Sequence, residues 1–189
     1  MSDIELLHGI IAKVVFAMGA CLYGFAAVLT AALNEARLEK VESLPRNKWI
    51  GLVVGWIALA VCVPHAEVVA PAFLHPFLWP IAVIVPILGF FFVDYPAARS
   101  LGGGLILMGY YLVHYTFDFR TPGFPVLAVI GWLIGIIGIW ISGKPCAMRD
   151  YLRLAGRSRS FRFSCAAGWG VAAVLSLWAL IMTRTGGAA

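Results

Sequence analysis

The stretch Cys62-Val63-Pro64-His65-Ala66-Glu67-Val68-Val69-Ala70-Pro71-Ala72-Phe73-Leu74-His75-Pro76 is a short polar island between two long apolar runs. Trp49 to Val63 on one side and Phe77 to Val93 on the other contain no charged residue. Uninterrupted apolar runs of this length, joined through prolines and a few polar side chains, describe two membrane-crossing helices linked by a tight turn.

Composition supports that reading over a soluble core. The chain has 189 residues, 62% hydrophobic and 12% charged, with a mean hydropathy of +0.93. A soluble domain of this size is about 45–50% apolar and about 25% charged. The excess is more than one small core can bury, so a bilayer takes the remainder.

Outward from the island, four further apolar runs predict an all-α, polytopic integral membrane bundle of six transmembrane helices with short loops, a single domain over 1–189. The spans fall near residues 10–33, 49–70, 73–93, 101–117, 124–142 and 163–183. Ahead of the first, Ile4, Leu7 and Ile11 recur at helical spacing among Asp3, Glu5, His8 and Lys13, as in an interfacial lead-in. The acidic start, Asp3 and Glu5, is unlike a cleavable signal peptide, so this segment is expected to stay. Pro80 and Pro86 lie deep in the third span and call for neighbouring donors to satisfy the carbonyls they free. Charged connectors are expected over 34–48 and 144–162, the second with a short surface helix, and tight turns at Asp94–Arg99 and Thr121–Gly123.

Small residues carry the packing signal. Ala17, Ala20, Gly24, Ala27 and Ala31 stripe the first span, and Gly131, Gly135, Gly138 and Ser142 line one face of the fifth. Close backbone approach of this kind is how helices associate in lipid, where hydrophobicity no longer separates one face from another. Cys21, Cys62, Cys146 and Cys165 form no C-x-x-C pair and read as small packing residues.

Charge placement sets the orientation. Eleven of the fourteen basic residues, from Arg37 to Lys48, Arg99, and from Lys144 to Arg162, fall on one side of a six-span chain. The other side keeps Lys13, Arg120 and Arg184. By the positive-inside rule the richer side is cytoplasmic and both termini are outside, N-out and C-out. The net charge of +5 is thereby topogenic, facing anionic headgroups, with no nucleic-acid partner implied. The Ala, Gly and Arg usage fits a bacterial inner membrane.

That orientation brings all four histidines, His8, His65, His75 and His114, to the outer rim together with Glu67 and Asp118. Imidazoles with a carboxylate suit a transition metal, and His65, His75, His114 and Asp118 are the candidate ligands. His114 and Asp118 share a face if the fourth span stays helical that far, whereas His65 and Glu67 meet only if Pro64 breaks the second. A single b-type haem between His65 and His114 is the redox variant of the same idea. The plain reading is that these rings, like the tyrosines Tyr110, Tyr111 and Tyr115, sit at the interface with one wet edge. The acidic residues lie at span ends or in loops, which disfavours an ion-coupled carrier. Two readings follow. The first is a non-catalytic membrane subunit with a structural or small-molecule-binding role at its outer rim, in contact with lipid and with other subunits of a membrane complex. The alternative is a membrane-embedded enzyme or redox protein built on the His/carboxylate cluster.

Overall fold

The structure, a computed structural model, describes residues 3–118 and 124–185. Among these residues the chain is helical and has no strand. The helices are α1 (Asp3–Ala31), α2 (Glu35–Glu42), α3 (Lys48–Val69), α4 (His75–Phe92), α5 (Pro96–Asp118), α6 (Phe124–Gly143), α7 (Cys146–Arg157) and α8 (Arg159–Thr185), with single 3-10 turns at Leu44–Arg46 and Ala72–Leu74. The Thr121–Gly123 turn and the tail beyond residue 185 lie outside the described residues.

Among the described residues four helices are long and apolar enough to cross a membrane: Lys48–Glu67, Ala72–Phe92, Pro125–Gly143 and Arg159–Met182. These correspond to four of the six expected spans. In α1, Phe16–Ala31 is a further apolar stretch among the described residues. In α5, Gly102, Gly103, Gly104, Tyr110, Tyr111 and His114 dilute the hydropathy of an otherwise span-length helix.

One local expectation changes. The charged connector after α1 is not plain loop but holds α2, whose first turn Asn34 starts by accepting the Arg37 N–H on its side chain at 2.9 Å. The expected surface helix after α6 is present as α7. At the island Pro64 does not end the second span, which runs on as the expected bounds of 49–70 have it. A proline removes one rung of the ladder, and α3 continues through it to Val69, closing with Ala70 N–H on Ala66 O at 2.7 Å.

The chain divides into two compact units. In the first (Met1–Leu38, Met108–Gly135 and Leu152–Ala189), α1 and α8 pack along their length. A Cβ on Gly19 would touch Ser176 Oγ at 3.4 Å, one on Gly24 would touch Ala173 Cβ at 4.0 Å, and Tyr23 stacks on Trp169. Rising numbers on α1 thus meet falling numbers on α8, an antiparallel pair. Phe16, Tyr23 and Thr30 are buried on the α1 side, and Ala172, Ser176 and Ala179 on the α8 side. The small side chains of α8 admit the large rings of α1, and dispersion contacts between them hold the pair. Ser176 Oγ donates to Ala172 O and Thr116 Oγ1 to Leu112 O, returning their hydroxyls to the helix backbone.

Two arginines close the C-terminal end of α1. Arg37 Nη1 donates to Ala32 O at 3.2 Å and Arg162 Nη1 to Leu33 O at 2.5 Å. Both the unsatisfied carbonyls and the helix dipole favour cations there. In the same unit Leu38 of α2 fills the space beside Gly156 of α7, where a Cβ would come within 3.1 Å of it.

In the second unit (Glu39–Leu107 and Ile136–Tyr151), α3 and α4 form the hairpin expected on either side of the island. Asn47 caps α3 by accepting the N–H groups of Trp49 and Ile50 at 3.0 and 3.1 Å. Pro80 and Pro86 lie inside α4 as expected. The Trp56 indole of α3 donates to Val83 O at 3.0 Å, next to the Ala82 carbonyl that Pro86 leaves without its usual donor. The start of α5 then crosses α3: a Cβ on Gly51 would lie 2.7 Å from Ala97 N, so only glycine admits the crossing. Ser100 Oγ donates to Gly51 O at 2.8 Å and pins the same place.

Candidate functional site

The island resolves into two helix ends and a turn. Because α3 runs through Pro64, His65 and Glu67 stand two residues apart on a helix, about 200° around its axis. They do not share a face, which removes the His-x-Glu pairing that a broken helix would have allowed. Both side chains are exposed. After Ala70 the chain turns through Pro71 and a single 3-10 turn, with Leu74 N–H on Pro71 O at 2.9 Å.

His75 opens α4 and bends back across that turn. Its Nε2 lies 3.0 Å from Ala70 O. A carbonyl oxygen can only accept, so this nitrogen is the donor. The contact ties the end of α3 to the start of α4, which is a structural use of the imidazole. His65, Glu67 and His75 thus belong to the second unit, each with a separate setting.

His8, His114 and Asp118 belong to the first unit. Helix α5 extends through Asp118, so His114 and Asp118 occupy i and i+4 positions on one face, as the spacing implied. The His114 ring is exposed and stacks on Tyr110, with centroids 5.6 Å apart and planes 11° from parallel. The side chains of His8 and Asp118 lie outside the described residues. Among the described residues no three His, Cys, Asp or Glu side chains come together in a way that could hold a metal ion.

Two features went unread in the sequence. Tyr23, which the small-residue stripe of α1 surrounds, is 1% exposed, and its Oη has no hydrogen-bond partner among the described residues. A phenol in the middle of an apolar helix is the signal in the sequence. The other is a cavity of about 270 Å³ in the second unit, lined by α3 residues including Gly51 and Gly55, by Pro86 of α4, and by Pro96, Arg99 and Gly103 of α5. Its walls are apolar apart from Arg99 and Ser100. No spacing within one helix reports it, because three helices supply one or two turns each.

Comparison with known protein families, curated proteins and solved structures returns no match to this chain.

Proposed function

We propose that the chain is a six-span inner-membrane protein with both termini outside, acting as a non-catalytic subunit of a membrane assembly. One observation carries the reading. The span-length windows of α3 and α4 are only 11% buried within the chain, and large side chains such as Phe77, Trp79, Ile84 and Phe91 stand outward along α4. In a bilayer, faces this wide meet lipid or other helices, and Gly/Ala surfaces without an internal partner accept the latter.

Helix pairing supports the six-span reading. Helix α1 lies antiparallel along α8, a span by its own hydropathy, and its 29 residues extend about 43 Å at 1.5 Å per residue. Likewise α5 lies against α6: Gly102 meets Gly138 and Ser142 in the second unit, and Gly109 meets Gly131 in the first. A helix that accompanies a span over its length is in the membrane with it. The arginines that close α1, the Arg99–Ser142 contacts and the Arg46–Tyr95 contact all join helix ends assigned to the basic side, which supports the N-out, C-out orientation.

At the outer rim, His75 bonded to the Ala70 carbonyl and His114 stacked on Tyr110 favour anchoring over chemistry. The i, i+4 placement of His114 and Asp118 supports the alternative, a metal or haem protein using His65, His75, His114 and Asp118, with Glu67 nearby in sequence. Purification in a mild detergent separates the two. The subunit reading expects stoichiometric membrane partners, no Soret band, no stoichiometric metal, and an assembly unchanged by His65→Ala with His114→Ala. A Soret band or bound metal that the double substitution abolishes would overturn it in favour of the alternative.

A further inference from the structure

The cavity of the second unit is an apolar groove with one arginine among its lining residues. It follows α3 from Gly51 to Leu59, about 12 Å at 1.5 Å per residue, and narrows no wall with a polar group except at one end. That end is where α5 begins, with Pro96 and the exposed Arg99. The deep end is apolar, between Leu59, Val85 and Pro86. Gly103 lines it too, and a Cβ added there would meet nothing within 4 Å. The Ser100 hydroxyl is already committed to Gly51 O, so the polar function left at the mouth is the guanidinium.

Arg99 is positioned by its neighbour. Its Nη1 donates to Ser142 O at 3.2 Å, one of the five N–H donors a guanidinium carries, while Ser142 Oγ donates back to Arg99 O at 3.2 Å. The fork is held at the level of the helix ends with further donors available for a planar, bidentate anion such as phosphate. Nearby in the same unit, Lys48 lies over the Phe90 ring and Arg46 is bound to the Tyr95 hydroxyl, with Glu42 and Asp94 close enough to act on Arg46. Arg46 is therefore occupied, and Arg99 is the cation that faces the cavity.

We propose that this groove seats one acyl chain of an anionic glycerophospholipid, with the lipid phosphate on the Arg99 guanidinium. The assignment rests on the membrane reading above, which makes the surrounding medium lipid and the Arg99 end an interface. The cation selects the headgroup class, and the glycine floor admits the chain. With the basic side facing the cytoplasm, the lipid belongs to the inner leaflet.

Native mass spectrometry of the full chain in detergent, with phosphatidylglycerol or phosphatidylcholine added, tests this. The expected result is one phosphatidylglycerol retained with about tenfold preference over phosphatidylcholine, whose phosphate is offset by its own quaternary ammonium and pairs less strongly with the guanidinium. Arg99→Gln should remove most of that preference, and Gly103→Leu, which fills the groove where no atom stands, should abolish retention of both lipids. Arg153→Gln, a cation of α7 outside the groove, should leave both unchanged. Ala58→Phe serves as a second plug if Gly103→Leu fails to give a helical, monodisperse protein. Equal retention of the two lipids, preference that survives Arg99→Gln, or retention that survives the folded plug variants would each overturn the assignment. Because the measurement in micelles is blind to sidedness, its failure leaves the topology standing, and an inverted topology moves the lipid to the other leaflet without removing it.

Discussion

Single glycines decide where two helices can touch in this chain. In the second unit a Cβ on Gly138 would come within 2.6 Å of Gly102 O and 2.9 Å of Ile106 N, and one on Gly102 would come within 2.7 Å of Gly138 O. Those neighbours are largely backbone, so they cannot swing aside. In the first unit, a Cβ on Gly131 would meet Gly109 O at 3.0 Å and the more yielding Val113 Cγ2 at 2.8 Å. Gly135, on the same sequence stripe, would meet nothing within 4 Å. Gly138→Ala is expected to cost about 1–3 kcal/mol through overpacking. Gly135→Ala is expected to be neutral or to stabilise by up to about 1 kcal/mol, since alanine is the better helix former. Thermal unfolding of the two variants in one detergent checks the contrast, and equal losses would mean that the stripe packs as a whole. The residue scale also holds the one non-glycine left-handed position, Tyr95, at φ 56° among the described residues. It turns the chain from α4 into α5 and brings its hydroxyl to Arg46 Nη2 at 2.7 Å, a bond that holds the guanidinium above its ordinary pKa.

At the scale of the element, α4 shows how a helix with internal prolines survives in lipid. Pro86 is buried, and its ring takes away the donor that Ala82 O would otherwise receive. The Trp56 indole N–H enters at the adjacent Val83 carbonyl and binds α3 to the weakened turn. A double-mutant cycle should find these two side chains coupled. Trp56→Phe is expected to cost about 1 kcal/mol in the native background, the scale of a hydrogen bond between membrane helices, and clearly less once Pro86→Ala has restored the ladder. Additive effects in that cycle would mean that Trp56 acts by its ring alone. The island belongs to this scale as well. Its residues announce a turn, yet the turn is later than the first proline implies: α3 absorbs Pro64, and the reversal waits for Ala70 and Pro71.

For the whole molecule, sidedness is the open question that a chemical probe answers. In a background without the native cysteines, a cysteine at Ala72, beside the His75 turn, should react with an impermeant maleimide added outside intact cells. One at Ser158, between α7 and α8, should react only after the membrane is opened. The opposite pattern would invert the assignment of the outer rim and with it the setting proposed for His8, His65, Glu67, His75, His114 and Asp118.

What the sequence determined by itself is local in origin. Apolar runs and proline-rich turns specify helices of span length, because in lipid every backbone donor must find its acceptor within the segment. Counting cations along those runs then gives the orientation proposed above. Candidate rim residues could be named the same way, and so could the i, i+4 relation of His114 to Asp118, since helical spacing is written in the numbering. Tertiary structure alone decided the partners. That α1 lies along α8 is not legible in either helix, and neither is the difference between Gly138 and Gly135, or the groove that α3, α4 and α5 share. In water an apolar stripe points to the core and betrays its neighbour. In a bilayer the lipid is as apolar as the core, so every face is equally permitted, and close packing between particular side chains is what selects the fold.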